Sequence, residues 1–372
     1  MLRKLTLLTL AVGWSAIAGC AGLVPSTPTP TPTPSATPTT TSTPRPTATA
    51  TRTATATQTP KPTSFLSEDP TLTPAGAEQE SASGEPLTLR LNLQPGATYR
   101  LQLLTRQAIQ QDLEGQHLET IQTMGIQYSY SVTEVDSEGN AWIDLLYERV
   151  ILEQDSVLGK VEYDSADPPA ELPPEAQGVS ALVGLGYSMQ MSPRGEVLET
   201  RGAEELVEAM IAALQISDPA VREQIETTLR QQYGGEALQN QLRETVVQFP
   251  EGPLLVGESW STTTETFALT TLTVKATYTL RGFDENTARI DVHSSFTTDA
   301  RAELLDFGLF QLGYVLAGDQ EGTLLVDRMT GLANIQLHQG LDGEMTIVIS
   351  EETLKVPITA QSVFQLRVVE EE

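Results

Sequence analysis

The chain has 372 residues, with 49 Asp and Glu against 22 Lys and Arg, a net charge of −27 and a single cysteine. So acidic a surface repels phosphate backbones, which excludes nucleic-acid binding, and one cysteine excludes an intramolecular disulfide. Five charges of each sign precede residue 86, so the whole imbalance lies on 86–372, a length that can bury a substantial core.

Arg3 and Lys4 open the chain, Leu5–Gly19 is largely apolar, and Ile17-Ala18-Gly19-Cys20 sets small residues before the sole cysteine. A basic start, an apolar stretch and small residues at a cleavage point make a secretory signal. The last four residues resemble the lipobox of bacterial lipoproteins. That resemblance implies a signal peptide over 1–19, cleavage after Gly19, and diacylglycerol on the Cys20 sulfur, with palmitate as the type of acyl chain. Two or more such chains hold a protein on a membrane permanently. The expected location is extracytoplasmic, anchored to the bacterial membrane by the lipid on Cys20.

The next section, 20–85, reads as a tether. Thr, Pro and Ala dominate from Ser26 to Lys61, beginning with Thr-Pro repeats over Thr27–Pro34. Proline fixes φ and lacks an N–H, and threonine has little apolar area to bury, so no core is expected here. A polyproline-II tether of this length reaches about 200 Å and a flexible coil about 45 Å. Threonine packed beside proline also suits O-glycosylation.

Residues 86–372 form the predicted folded domain. Leu87–Leu93 alternates apolar and polar residues, which predicts a half-buried strand. Gln94-Pro95-Gly96 is a turn signal, and Tyr99–Leu103 alternates again. Ile126, Tyr128, Tyr130 and Val132 recur at period two, Asp136–Asn140 signals a hairpin, and Ala141, Ile143, Leu145 and Tyr147 line the return strand.

The pattern then recurs. Gly96-x-x-Tyr99 matches Gly257-x-x-Trp260, and Tyr130–Leu145 matches Tyr278–Val292. Gly186 and Gly195 have the same separation as Gly322 and Gly331. An internal duplication is expected, with halves over about 87–200 and 250–369. Between them, 202–247 has a helical period. Leu206, Val207, Met210, Ile211 and Leu214 form one stripe, and Val221, Ile225 and Leu229 a second behind the N-cap pair Asp218-Pro219. Leu238, Leu242 and Val246 form a third. The predicted class is α+β, mainly antiparallel β. A duplicated β-meander forms a curved sheet or half-barrel, with two or three helices packed on one face.

The Gly96/Tyr99 and Gly257/Trp260 strand starts, with the turn Asp327-Arg328-Met329-Thr330-Gly331, resemble an uncharacterised family of bacterial lipoproteins over about 87–369. The resemblance implies fold geometry only and brings no catalytic or binding residue with it.

Little in the chain calls for chemistry. His117, His293 and His338 have no local metal-ligand spacing, and no second cysteine joins them, so no metal site is expected. There is no nucleophile elbow and no glycine-rich phosphate loop. Asp136-x-Glu138-x-Asn140 reads as a turn rather than a calcium loop. Trp142 is expected in the core and Leu304–Leu316 in a buried strand. The expected protein is non-enzymatic and free of cofactors. Its β-rich domain would bind a hydrophobic or amphiphilic ligand between helices and sheet, or serve as a structural or protein-interaction module without a pocket. Its partners are the membrane, through Cys20, and an unidentified ligand or envelope protein.

Overall fold

Among the described residues, period-two alternation organises the folded domain into thirteen antiparallel strands. The computed structural model describes residues 84–369, except 114, 158, scattered positions between 214 and 246, 268–270, 299–303, 307–310 and 350–351. The signal, Cys20 and the tether lie outside the described residues.

The first half holds β1 (Thr98–Leu113), β2 (Gln116–Val135), β3 (Ala141–Ser156), β4 (Gly159–Asp164), β5 (Gly186–Met191) and β6 (Val197–Arg201). The second holds β7 (Ser259–Phe267), β8 (Thr271–Phe283), β9 (Thr287–Thr298), β10 (Leu305–Asp306), β11 (Gln311–Asp327), β12 (Ala333–Ile349) and β13 (Glu352–Val369). They make one open sheet in the order β6-β5-β3-β2-β1-β13-β12-β11-β9-β8-β7, with β4 added to β3 and β10 to β11. Each half is a meander running the same way across the sheet, and β13 joins them by pairing with β1 and β12.

The halves repeat in register. Tyr99 sits opposite Tyr130, and Trp260 opposite Tyr278. The Gly96 N–H donates to Val132 O at 2.7 Å, and the Gly257 N–H to Leu280 O at 2.7 Å. A bulge follows Val132 in one hairpin and Leu280 in the other. The pairing of Gly186 with Gly322 does not hold. Tyr187 and Gly322 are the equivalent positions, facing Leu145 and Val292. The reason is one extra residue in the turn before Gly331: the Ser192 N–H reaches Glu196 O, whereas the Asp327 N–H reaches Leu332 O.

One face of the sheet carries the core. Alternate residues of each strand supply three apolar clusters: one over the first half around Ile143 and Met189, one over the second around Leu280 and Ile290, and one at the far end around Phe296 and Tyr314. A polar row separates the third from the other two. Gln122, Gln107, Ser362, Gln339, Gln320 and Ser294 stand opposite one another on six adjacent strands. The buried Gln107 amide donates to the Gln122 carbonyl oxygen at 2.9 Å, which meets part of the cost of burying it.

Several expectations need correction. Leu87–Leu93 is not a strand beyond an isolated bridge between Leu87 and Leu254. Its alternation arises because Leu87, Leu89 and Leu93 plug the sheet's end while the backbone crosses two turns. The Leu91 N–H donates to Pro193 O at 2.7 Å and the Asn92 N–H to Thr330 O at 2.8 Å. Leu304–Leu316 is not one strand either, since β10 folds back on β11 and Leu304 lies against the space that Gly313 leaves open. Of the helical stretch 202–247, α2 (Ala203–Ala213) is described as a continuous helix. A four-residue α1 (Gln177–Ser180) precedes it. Leu206, Val207, Met210 and Ile211 of α2 belong to the first-half cluster, so this helix and the sheet share one packed core. The expectations for the second and third stripes fall largely outside the described residues.

Candidate functional site

Because side chains alternate, the residues between core positions form a second, outward face. On most strands it is polar, as a solvated face should be. The rule has exceptions, among them Leu146 on β3, Val315 on β11, and Ala108, Ile121 and Val363 on β1, β2 and β13, with Ile121 45% exposed. Ala108, Ile121 and Val363 belong to a groove of about 860 Å³ that crosses the outer face from β4 and β3 to β9. That is within the range of small-ligand sites. From β3 to β9 there are six strand spacings, about 29 Å along the sheet.

The groove's centre mixes apolar Ala108, Ile121 and Val363 with Arg106 and Gln361, and both ends are charged. Glu153, Asp155 and Lys160 stand at the β3–β4 end. His293, Glu321 and Asp319 stand at the β9–β11 end. Register sets this layout. Glu153 faces Thr123, which faces Arg106, which faces Val363, and the row continues through His338, Glu321 and His293. His293 and His338 are both exposed in this row, an alignment across strands that local spacing does not reveal. His117 lies apart, at the β1–β2 hairpin, with its Nδ1 3.1 Å from Asp112.

β4 brings Lys160 to the groove and is fastened by an ion pair at its other end. Arg149 Nε and Nη2 donate to the two Asp164 carboxylate oxygens at 2.9 and 2.5 Å. These hydrogen bonds outweigh the opposing effect of partial burial and hold the Asp164 carboxyl below its ordinary range. A lowered carboxyl pKa adds stability above its unfolded value of about 3.9, and that stability is lost as pH falls through the lower folded value. Asp164→Asn is therefore expected to cost about 1 kcal/mol at neutral pH, with the difference in melting temperature shrinking as pH falls below the ordinary carboxylate range. A difference that stays constant as pH falls through that range would show that the loss does not come from the ionised pair.

Two other sequence candidates resolve into structural roles. Asp136 Oδ1 accepts the Glu138 and Asn140 N–H groups at 2.8 and 2.9 Å, and Asn140 Nδ2 donates to Asp136 Oδ2 at 2.9 Å. That carboxylate closes the hairpin, as the turn reading expects. Trp142 is not in the core. It lies on the outer face, half-buried, with the Arg201 guanidinium 3.7 Å from its ring centroid. Successive strand side chains point to opposite faces, so with Ile143 in the core its neighbour Trp142 faces away. The space between α2 and the sheet, where the expected ligand would sit, is occupied by core side chains.

A model for a family of unknown function, DUF6263, matches residues 138–333. No curated protein matches the chain. Among solved structures, one of lipovitellin and its lipid–protein interactions is similar at 10% identity and a TM-score of 0.40. The match covers 74% of this chain but only 25% of that one, so the chain spans about a quarter of lipovitellin. An outer membrane channel from Pseudomonas putida F1 matches at 10% identity and a TM-score of 0.20, covering 75% of this chain and 97% of that one. OccAB4 of Acinetobacter baumannii matches at 8% and 0.20, covering 74% and 99%. Likenesses this distant carry no functional weight.

Proposed function

Given that the chain belongs to DUF6263, a family of unknown function, we propose that it is a lipid-anchored envelope protein whose β-rich domain binds an amphiphilic ligand in the outer-face groove. The observation that carries this reading is the groove itself. It has about 860 Å³ of space, apolar side chains at Ala108, Ile121 and Val363 with Arg106 and Gln361 among them, and charged ends. Apolar side chains interleaved with charged and polar ones suit a molecule that has both an apolar body and a polar head. This differs from the ligand position that helical packing had pointed to, since that interface is filled. The register match between the halves supports a duplicated meander, which widened the sheet far enough for one groove to cross both copies.

The anchor remains part of the proposal. Cys20 carries the lipid and the Thr/Pro-rich tether holds the domain off the membrane. No helix among the described residues is long and apolar enough to cross a bilayer. The protein acts by binding rather than by catalysis.

Native mass spectrometry of the full chain, extracted from its host membranes in detergent, tests both parts. The acyl mass is expected on the wild type and absent from Cys20→Ala. A bound amphiphile is expected on the wild type and lost from Ala108→Trp, whose indole fills the groove's centre. A wild-type protein that carries no amphiphile, or an Ala108→Trp variant that retains it, would favour the protein-interaction reading instead.

A further inference from the structure

The three residues at one end of the groove form a set that no local spacing reveals. Glu321 on β11 stands directly opposite His338 on β12 and directly opposite His293 on β9. Directly opposed residues on antiparallel strands have Cβ atoms about 4.5–5.5 Å apart, so one carboxylate is flanked by two imidazoles on the same face. All three side chains are exposed and all three line the groove. The next position toward the far end supplies Asp319, opposite Gly340. A Cβ at Gly340 would make only ordinary contact, at 3.4 Å, with the Gln361 side chain, and the His338 Nε2 lies 3.4 Å from the Gln336 Nε2.

We infer that His293, Glu321 and His338 bind a divalent first-row transition-metal ion, with Asp319 within reach as a further oxygen donor. Two imidazoles and one or two carboxylates are a donor set suited to Zn²⁺, which takes nitrogen ligands at about 2.0–2.1 Å and carboxylate oxygens at about 2.0–2.2 Å. Among the described residues no three such side chains already converge on one point. The rings and carboxylate are therefore drawn together by side-chain rotation on a fixed backbone, which their exposure permits. The backbone does the selecting, since three adjacent strands hold the donors in one row. The ion also offsets the charge of Asp319, Glu321 and Asp342, which share this end of the groove. The inference goes beyond the amphiphile reading and needs only the geometry of this row.

Calorimetric titration of the full chain in detergent, stripped with chelator and then given Zn²⁺ alone, tests it. A background of excess Ca²⁺ saturates hard-ion binding to the acidic surface. One Zn²⁺ per chain is expected. His293→Ala and His338→Ala should each weaken it at least tenfold, the double variant should abolish it, and His117→Ala should leave it unchanged. A wild type that binds no Zn²⁺ above the Ca²⁺ background, or a double variant that binds as wild type does, would overturn the site. Circular dichroism melts of the variants separate lost ligands from lost fold. Native mass spectrometry of the same double variant keeps the two proposals apart. Retained amphiphile with lost Zn²⁺ supports the metal site independently of the groove's ligand. A wild type without Zn²⁺ but with amphiphile refutes only the metal site.

Discussion

Gly331→Ala is expected to destabilise the domain by more than about 3 kcal/mol, read as a lowered urea midpoint at unchanged slope. Two effects combine at this position. Gly331 has φ +78, a left-handed conformation that costs an L-residue with a side chain about 1–2 kcal/mol. A Cβ there would also stand 2.2 Å from the Arg90 carbonyl oxygen and 2.7 Å from the Leu91 Cα. Neither neighbour is a flexible side-chain tip, so the crossing segment 87–93 would have to move. Moving it strains the hydrogen bonds of Leu91 to Pro193 and Asn92 to Thr330, and unseats Leu89 and Leu93 from the core. Gly96→Ala is the control. It has φ +82 but nothing within 4 Å of the added Cβ, so it is expected to lose only the conformational part, about 1–2 kcal/mol. Equal losses at the two glycines would mean that the segment does not cross the Asp327–Gly331 turn as described.

Trp260→Ala is expected to cost about 3 kcal/mol, toward the lower end for a large aromatic because the ring is only partly buried. Its ring stacks on Tyr278 with centroids 5.0 Å apart and planes 17° from parallel. Its Nε1 donates to the Gln248 carbonyl at 2.8 Å, which ties the chain leaving the helical insert to the start of the second meander. Trp260→Phe keeps the stack and loses that bond, so about 1 kcal/mol is expected. Tyr99, the equivalent residue of the first meander, packs against the first-half cluster opposite Tyr130. A Trp260→Ala variant that melts within one degree of wild type would show that this aromatic does not hold the second meander closed.

The antiparallel character and the repeat were visible in the residues because alternation is a local property. Ile126, Tyr128 and Val132 mark one face of β2 whatever strand lies beside it, and all three are buried on the core face. The equivalence of Tyr99 and Trp260 was readable because each follows a glycine that begins a strand. Leu87–Leu93 misled for the same reason. A segment that plugs a core with every second side chain has a strand's pattern without a strand's ladder. Gly186 and Gly322 misled because equal spacing to a later glycine conceals an extra turn residue. Ile121 and Val363 were available as a signal for the groove, being apolar where an outward face should be polar.

Composition and periodicity alone gave the acidic balance, the Thr/Pro-rich make-up of the N-terminal segment and the two sets of alternating strands. These follow from side-chain chemistry and neighbours within a few residues, so no knowledge of distant partners is needed. The tertiary structure decided which strands become neighbours. It inserted β13 between the two meanders, crossed the chain over Gly331, and aligned His293, Glu321 and His338 from three strands into one row. Alternation says which face a residue takes but not what stands beside it. Cross-strand neighbours are set by register, which depends on turn lengths and on the burial of a whole face at once.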